Sequence, residues 1–482
     1  MIGKYTLEIG WKEFLDGMTS SPETEDGGFS PQSINTNIAS SQARLGLLYA
    51  SANLVDKSTS LNGNIIAAVS DPDSGVGISK YILTSTGRFI SADSSSVLTV
   101  RRTSAGAKTY SFPNSDIVVY KNALYATSSN DITKATGANL ATTFDESWWD
   151  TTEAESALST GVRHPMIVYE DSLWIGDGNL LHKYDGSIST SGFLTLNTGL
   201  VIIALGIDPS TGKMLISASE GANGSDTLPR QCKIYVWDGF SQKPSRAVIV
   251  DDMVTEIYPL GGVVYMFYGQ NIGYWNGSGI TFLRRLKDAG LSGTELVYKH
   301  RVTNIGKTMY IADGRNVFAM EETIPGKRAW YIAHNVNSSF NAYLDAIFSM
   351  GNNVLGIAYD SNGSTPQFHT FDRSAITTGS FNFYSKKYKF PRPIYVREFH
   401  IEYYDSVAAS ATSGVATLYD QNFSAIATPA LTNDSTSATY SITRPINSSK
   451  KIRTLQLYYT NSSYSSVIAG IRRFVITYDV VE

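Results

Sequence analysis

The stretch SLWIGDGNLLHKYDG, residues 172–186, decides the fold. It contains an apolar triplet, a Gly-Asp-Gly turn and a second short strand that ends on an aromatic residue before Asp185 and Gly186. Glycine and aspartate between short apolar runs are typical of turns that join antiparallel strands. The longer segment HPMIVYEDSLWIGDGNLLHKYDG, from His164, adds a strand and a two-residue turn at Glu170 and Asp171. The segment is therefore predicted to form an antiparallel sheet.

The same pattern occurs six more times. The copies are KYILTSTGRFISAD from Lys80, NALYATSSNDITKAT from Asn122, GKMLISASEG from Gly212 with CKIYVWDG after a loop, GGVVYMFYGQNIGYWNGSG from Gly261, KTMYIADGRNVFAMEE from Lys307, and NNVLGIAYDSNG from Asn352 with PQFHTFD. The central residues of the seven apolar triplets are Ile82, Tyr125, Trp174, Leu215, Tyr265, Tyr310 and Leu355, at spacings of 43, 49, 41, 50, 45 and 45 residues.

Periods of about 40 to 50 residues with several short strands are typical of β-propeller blades. A single four-stranded blade cannot bury both of its faces, whereas blades packed radially bury one another. We predict a propeller of about seven blades over residues 61–379, with six or eight blades as alternatives. The apolar triplets are predicted to be the inner strands, packed between neighbouring blades.

Composition supports an all-β protein. The 482 residues are 42% hydrophobic and 17% charged, with 29 Tyr, 20 Phe and 40 Gly. These values favour strands and tight turns. The net charge of −4 argues against a protein that holds nucleic acid through many phosphate contacts. The single cysteine, Cys232, excludes a disulfide framework and a thiolate zinc cluster, is expected to be buried and indicates a reducing cytoplasm.

The two ends of the chain do not follow the repeat. Residues 1–60 are predicted to form a polar arm whose bulky residues Trp11, Phe14 and Phe29 dock on the propeller or on another chain. The start, MIGKYTLEIGWKEF, lacks the features of a secretory signal, and no apolar run reaches the roughly 20 residues that span a bilayer, so membrane insertion is not expected.

Residues 380–482 show longer alternating strands, predicted to form a separate β-sandwich or jelly-roll domain. In REFHIEYY, for example, Phe399, Ile401 and Tyr403 fall on one face of the strand, and Glu398, His400, Glu402 and Tyr404 on the other.

Residues that carry chemistry form no convincing cluster, so no catalytic residue, cofactor or resident metal is predicted. The six histidines include no pair at metal-binding spacing, and His182 and His369 are expected to be structural. Asp71, Asp73 and Gly75 faintly resemble a calcium loop and fit a hairpin turn equally well. The carboxylates that a propeller glycosidase would need are expected to cap turns instead: Asp177, Asp185, Asp238, Asp313 and Asp360.

Trp148 and Trp149 are the strongest candidates for a ligand surface. Exposed aromatic residues on a propeller rim can stack against sugar rings. The alternative is that one of the two indoles packs between the second and third blades. With Trp11, Phe14 and Phe29, these two residues make up the predicted interaction surface.

The arrangement of a polar arm with GGFSPQS (27–33), a degenerate propeller, and the transition YSKKYKFPRPIYVREFHIEYYD (384–405) into a terminal β-domain resembles virion structural proteins of tailed bacteriophages. It is most similar to β-propeller tail nozzle proteins, which include the packaged-DNA stabilisation proteins of short-tailed phages. The resemblance covers nearly the whole chain in architecture, although its sequence motifs are weak.

The resemblance implies a non-enzymatic ring of six copies around the DNA channel, which retains and releases the packaged genome. Its partners would be other tail or connector proteins and passing DNA, bound without sequence specificity. The protein would assemble in the host cytoplasm and reside in the virion tail. The alternatives are a carbohydrate- or receptor-binding baseplate or tail-tip protein and, third, a propeller glycoside hydrolase.

Overall fold

A computed structural model gives the structure of the protein. The described residues are 4–9, 36–39, 44–47, 54–55, 61–70, 78–93, 98–102, 108–137, 143–220, 231–286, 297–314, 316–324, 327–335, 343–351, 354–360, 366–372, 381–407, 412–461 and 471–481. Within these ranges nearly all regular structure is strand.

Seven four-stranded antiparallel sheets form the blades of a β-propeller, which confirms the predicted fold class and blade number. Blade 1 consists of β5 (Ile65–Val69), β6 (Ile78–Thr84), β7 (Phe89–Asp93) and β8 (Leu98–Arg102). Blade 2 consists of β9 (Ile117–Tyr120), β10 (Ala123–Thr127), β11 (Ile132–Thr136) and β12 (Thr143–Asp145). Blade 3 consists of β13 (Met166–Tyr169), β14 (Ser172–Asp177), β15 (Leu180–Tyr184) and β16 (Ser189–Thr195).

Blade 4 consists of β17 (Leu200–Asp208), β18 (Lys213–Glu220), β19 (Cys232–Trp237) and β20 (Arg246–Val250). Blade 5 consists of β21 (Val254–Leu260), β22 (Val263–Tyr268), β23 (Asn271–Trp275) and β24 (Ile280–Arg285). Blade 6 consists of β25 (Val302–Ile305), β26 (Thr308–Asp313), β27 (Asn316–Ile324) and β28 (Lys327–Asn335). Blade 7 contains β29 (Tyr343–Gly351), β30 (Val354–Asp360) and β31 (Pro366–Asp372).

The first strand of each blade is the innermost one. Side chains from the first strands of all seven blades line one central cavity, and sheet order places the fourth strand at the opposite edge. The predicted markers lie on the second strands instead, so the apolar triplets are one strand further out than predicted. All seven markers are at most 4% exposed, and Ile82, Tyr125, Trp174 and Leu215 belong to apolar clusters shared by neighbouring blades. Trp174 of blade 3, for example, packs with Met214 and Trp237 of blade 4.

Blade 7 takes its fourth strand from the N-terminal part of the chain. β4 (Leu54–Val55) pairs with β31, with Leu54 opposite His369 and Val55 opposite Phe368. The last blade is thus completed by residues that precede the first blade, so backbone hydrogen bonds close the ring. The sequence analysis assigned residues 54–55 to the N-terminal arm, because two residues carry no detectable repeat.

The turns between third and fourth strands explain the aromatic-Asp-Gly signature of the opening stretch. Asp185 Oδ1 accepts hydrogen bonds from the backbone N–H groups of Ser187 and Ile188, and Asp238 and Asn276 do the same in blades 4 and 5. The glycine that follows each cap has φ between 85° and 99°, a region that favours glycine. These carboxylates therefore hold turns, as predicted for Asp185 and Asp238.

A tyrosine at the end of the first strand joins neighbouring blades. The hydroxyl of Tyr120 donates to Asp171 O, 2.6 Å away in the next blade. The hydroxyl of Tyr169, at the equivalent position of blade 3, donates to Gly212 O at 2.9 Å in blade 4. The shared sequence is IVVYKN and MIVYED, so the signal for this contact is present in the repeat itself.

The C-terminal strands form a single eleven-stranded sheet in which β2 (Thr36–Ala39), β3 (Arg44–Leu47), β39 (Ile471–Val480), β33 (Tyr388–Val407), β38 (Ile452–Asn461), β34 (Thr412–Tyr419) and β35 (Ala425–Ala427) follow one another. β1 (Lys4–Ile9) pairs with β39, β32 (Phe381–Tyr384) with β38, β36 (Ala430–Thr432) with β34, and β37 (Thr439–Pro445) with β33. The predicted alternation is observed on β33, where Phe399, Ile401 and Tyr403 are buried.

This sheet differs from the predicted sandwich of two stacked sheets. The 20-residue strand β33 pairs with β37, β38 and β39 and contains register shifts in all three pairings. Such irregularities bend strands and increase twist, so one continuous sheet can curl and enclose its own core. Short strands with alternating apolar and polar residues have the same sequence pattern in a two-sheet sandwich and in one curled sheet. The sequence therefore could not distinguish the two arrangements.

Contacts divide the chain into two compact units. The first comprises Met1–Ala52, Asn316–Asn335 and Phe371–Glu482, and the second comprises Asn53–Arg315 and Val336–Thr370. The sequence analysis placed boundaries at residues 60 and 379. Here the first N-terminal strands, β1 to β3, belong to the unit that contains the C-terminal sheet.

Trp174→Ala is expected to lower the free energy of unfolding by about 3–5 kcal/mol, the range for a fully buried aromatic side chain. The indole is 1% exposed, donates to Tyr169 O at 2.9 Å and lies 4.9 Å from the Trp237 ring. Chemical denaturation measures the loss. Phe240→Ala is the control, because that ring is 69% exposed, and an equal loss in both variants would contradict the assignment of Trp174 to the layer between blades 3 and 4.

Candidate functional site

The propeller channel is a cavity with a volume of about 580 Å³. Its wall is mostly aliphatic and comes from the first strand of every blade. Polar groups interrupt this wall at few positions: Ser70, Lys80, Glu256, Tyr258, Lys299, His300 and Thr303. A concave, mainly apolar cavity with a few polar groups is the usual form of a small-molecule site.

A short segment crosses the channel at the end where the first strands begin. We call residues 297–301 the plug segment. Its backbone is held by blades 5 and 7, because Thr255 Oγ1 donates to Val297 O at 2.5 Å and Ile347 N–H donates to His300 O at 2.8 Å.

The plug segment is also bound to blades 1, 2 and 3 through two side chains. Lys299 Nζ donates to Asp116 Oδ2 at 2.7 Å and to Met166 O at 2.8 Å. His300 Nε2 lies 2.9 Å from Asp116 Oδ1, and its Nδ1 accepts the Ala68 N–H at 3.4 Å. With Nδ1 as acceptor, the ring proton lies on Nε2 and faces Asp116. Residues more than 180 positions apart in sequence thus meet at the channel axis.

Asp116 is a buried and ionised carboxylate. Besides Lys299 and His300, it accepts hydrogen bonds from the backbone N–H groups of Ile117 and Met166. Burial by itself would raise the pKa of Asp116, but the charge of Lys299 and the hydrogen bond from His300 outweigh burial and hold the pKa well below its usual range. Burial lowers the pKa of His300, so the imidazole is neutral at pH 7.

Aromatic and cationic side chains pack around the plug segment. The Tyr298 ring lies 5.4 Å from the Phe112 ring at 85°, and the Arg163 guanidinium is 3.9 Å from the Tyr298 ring centroid. Arg163 also donates to the backbone oxygens of Pro113 and Ile203 at 3.2 Å. Cation–π contacts of desolvated groups add to the stability of such a closure.

Glu256 is the second buried carboxyl group of the channel. It is 6% exposed, and its carboxyl group makes no hydrogen bond with the described residues. Burial raises the pKa of Glu256 to about 8, although Lys299 acts in the opposite direction. The carboxyl is therefore mostly neutral at pH 7, and it faces both the channel and a smaller cavity of about 20 Å³ beneath the plug segment.

The predicted ligand surface at Trp148 and Trp149 requires correction. The two side chains are 1% and 0% exposed, because they pack between blades 2 and 3 rather than face solvent. The Trp148 ring lies 4.9 Å from Tyr125 and 4.8 Å from Tyr184. The alternative, packing of an indole between the second and third blades, therefore holds for both residues. The other predicted surface residues, Trp11, Phe14 and Phe29, lie outside the described residues, as do Asp71, Asp73 and Gly75.

The histidines of interest have structural partners. His182 Nδ1 accepts the Gly192 N–H at 3.0 Å, and the Tyr359 hydroxyl lies 2.8 Å from His369 Nε2. Asp177, which also accepts the Ser159 N–H, lies 3.5 Å from both His164 and His182. These contacts agree with the structural role predicted for His182 and His369, and Cys232 is buried as expected.

The residues that the sequence analysis missed are Asp116, Glu256, Lys299 and His300. Each lies on or beside a first strand, and none belongs to a recognisable motif. Glu256, in VTEIY, is an acidic residue inside an apolar strand, which is a signal that sequence alone contains. The approach of Lys299 and His300 to Asp116 depends on closure of the propeller and has no local signal.

Blades 3 to 5 also expose large apolar side chains at their outer strands and at the turns before them. Four large side chains there are at least 57% exposed, and we call them the outer apolar residues: Ile188, Phe240, Ile249 and Phe282. Ile188 and Phe240 occupy the turns before the fourth strands of blades 3 and 4, and Ile249 and Phe282 lie on the fourth strands of blades 4 and 5.

Within the described part of the chain, no group of three or more His, Cys, Asp and Glu side chains is placed to hold a metal ion. No helix among the described residues is long and apolar enough to cross a bilayer.

Asp116→Asn is expected to lower the free energy of unfolding at pH 7 by about 2–3 kcal/mol, because it leaves Lys299 without its counter-ion. The depressed pKa of Asp116 means that its contribution is present above the unfolded pKa of about 3.9 and is lost as pH falls through the folded value. Denaturation at several pH values should therefore show the difference from wild type shrinking below about pH 4. Asp251→Asn, at an exposed position, is the control, and equal effects would contradict the role of Asp116.

Glu256→Gln should have the opposite pH dependence. Glu256 has a pKa of about 8 in the folded protein and about 4.3 in the unfolded chain. Between these two values the unfolded chain loses the proton and the folded protein keeps it, so the free energy of unfolding of the wild type falls as pH rises. The variant cannot ionise, so its advantage over wild type should grow between pH 5 and 8 by at most about 1.4 kcal/mol per pH unit. A constant difference across this range, measured by denaturation, would show that Glu256 is ionised throughout.

Comparison with known proteins supports no family assignment, since no family model and no curated protein matches the chain. One similar solved structure is YCF48 from Cyanidioschyzon merolae, at 8% identity, over 68% of this chain and 100% of that chain, with a TM-score of 0.44. Another is the extracellular domain of a protein described as a hybrid two component system, BT4673 from B. thetaiotaomicron, at 10% identity, over 66% of this chain and 44% of that chain, with a TM-score of 0.35. These similarities concern the fold alone.

Proposed function

We propose that this protein is a non-enzymatic component of a tailed-phage virion, of the tail nozzle type, that assembles into a homo-oligomeric ring around the DNA channel. The observation that carries the proposal is the set of outer apolar residues. Large apolar side chains exposed on consecutive blades favour a protein contact, because burial of such groups drives association. Repetition of one interface around an axis produces a ring of copies.

The outer strands of blades 4 and 5 support the same proposal. β20 and β24 are the last strands in their sheets, so their outer backbone groups have no partner strand among the described residues. Edge strands of this kind pair with other chains unless charge or a covering element prevents it. Ile249 and Phe282 lie on these strands and are 59% and 57% exposed, so a subunit that pairs with either edge would also contact an apolar side chain.

The charge of the protein suits a ring through which DNA moves. A net charge of −4 gives no excess of cations to hold phosphate groups, and DNA would pass without sequence-specific contacts. The propeller channel is not the DNA path in this proposal, because the plug segment crosses it. The DNA channel would be formed by the assembled subunits.

The alternative functions lose part of their support. A receptor- or carbohydrate-binding protein would use the C-terminal β-domain or Trp148 and Trp149, and the second of these surfaces is buried. A glycoside hydrolase needs two accessible carboxylates across a sugar site. Asp185 and Asp238 cap turns, and Asp177 is buried against two histidines.

Purified protein should form closed rings, with six copies per ring, detectable by light scattering after size exclusion and by electron microscopy. Phe240→Ser combined with Ile249→Ser should convert these rings to monomers without lowering the melting temperature, because both side chains are exposed in the single chain. Lys243→Ser, at an exposed position close to Phe240, is the matched control and should leave the rings intact. A wild-type protein that stays monomeric and is absent from tail particles would overturn the proposal.

A further inference from the structure

The propeller channel has features that a role in ring assembly does not use. Its volume of about 580 Å³ is within the range of small-molecule sites, and its aliphatic wall comes from the first strands of all seven blades. A structural propeller needs only blade packing around its axis. The few polar groups in the wall therefore indicate which chemistry the channel can bind.

Glu256 provides a buried carboxyl group at the channel. Its carboxyl group lies in the wall of the channel and makes no hydrogen bond with the described residues. A carboxyl group in a cavity wall that has no partner among the described residues can form hydrogen bonds with a molecule in the cavity. In its neutral form the group can donate one hydrogen bond and accept others.

Lys80 provides a buried cation in the same wall. Lys80 lies on the second strand of blade 1, is 8% exposed, and donates to the side chain of Ser70. Neither its contacts nor its electrostatic surroundings include a carboxylate from the described residues, and burial lowers the pKa of Lys80 to about 8. At pH 7 the ammonium is mostly charged, and an anion in the channel would stabilise it.

The charges in the wall decide the sign of the ligand. The described residues that line the channel include two lysines, Lys80 and Lys299, and one carboxyl group, Glu256, which is mostly neutral at pH 7. Lys299 is already paired with Asp116, so among the described lining residues Lys80 is the cation that remains for a ligand. An apolar wall with one such cation and a neutral hydrogen-bond donor fits an apolar molecule with an anionic group.

We propose that the propeller channel binds a small amphiphile with a carboxylate group. The carboxylate pairs with Lys80, the apolar body lies along the aliphatic wall, and Glu256, on the opposite side of the seven-bladed ring, donates a hydrogen bond to the ligand. This site is independent of the proposed ring interface.

Calorimetric titration at pH 7 with three ten-carbon probes tests the proposal: decanoate, decylammonium and decanol. Decanoate is expected to bind saturably at one molecule per chain and at least tenfold more tightly than the other two. Equal or tighter binding of decylammonium would show that Glu256 is an ionised cation site and overturn the proposal. Absence of saturable decanoate binding would show that the channel holds water alone and would also overturn it.

Substitutions locate the binding. Lys80→Met should weaken decanoate binding at least tenfold, and Lys243→Met, which removes an exposed lysine, should leave it unchanged. Glu256→Gln should retain binding within about threefold, since the amide still donates a hydrogen bond, whereas Glu256→Leu should weaken it about tenfold. Decanoate binding that is the same in wild type and all these variants would place the ligand outside the channel.

A channel-filling variant covers the case in which Lys80→Met fails to fold. Ile207→Trp adds volume to the channel wall and keeps every charged group. The variant should melt as a folded protein and lose decanoate binding. Full retention of binding in folded Ile207→Trp protein would overturn the proposed location.

Discussion

The ionised carboxylate of Asp116 is the interaction on which the centre of the propeller depends. It lies at the start of a first strand and binds Lys299 and His300, which approach from beyond blade 5. Through these contacts, blades 1, 2 and 3 are joined to a segment that blades 5 and 7 also hold. Neighbouring blades are fixed by apolar packing and by hydrogen bonds such as that from Tyr120 to Asp171 O, whereas the plug segment connects blades across the axis. The plug segment thus prevents the inner strands from separating without requiring a large core.

Closure of the ring is a second constraint, and it is met at the periphery. β4 supplies the outer strand of blade 7 with two residues, and Val55 pairs opposite Phe368, which is itself buried. Blades in a ring have no terminal repeat to cap, so the first and last must meet. The axial Lys299–Asp116 ion pair and the peripheral strand β4 therefore both hold the ring closed, one at the inner and one at the outer edge of the blades.

The sequence predicted what is periodic and missed what is not. Trp174 and the six equivalent residues are buried because each blade lies between two others and has the same environment. One sequence pattern repeated seven times was therefore enough to predict the fold. Trp148 and Trp149 lie outside that pattern, in a π-helical turn after β12, and sequence alone gave no reason to place both indoles against Tyr125 and Tyr184. The channel residues were unpredictable for another reason. Asp116 and His300 are separated by 184 positions, and their approach is set by the number of blades between them.

Asp116 and Glu256 show how the same burial gives opposite charge states a short distance apart. Both carboxyl groups are almost completely buried at the same end of the channel. Asp116 receives four hydrogen bonds, two of them from side chains that are cationic or polar, and stays ionised. Glu256 receives none from the described residues, and Lys299 is already committed to Asp116, so Glu256 keeps its proton. Lys299 can pair with only one carboxylate, so Glu256, which has no counter-ion, stays protonated and can donate a hydrogen bond. The charge of Lys80 is then not cancelled, and the described channel wall has a net positive charge.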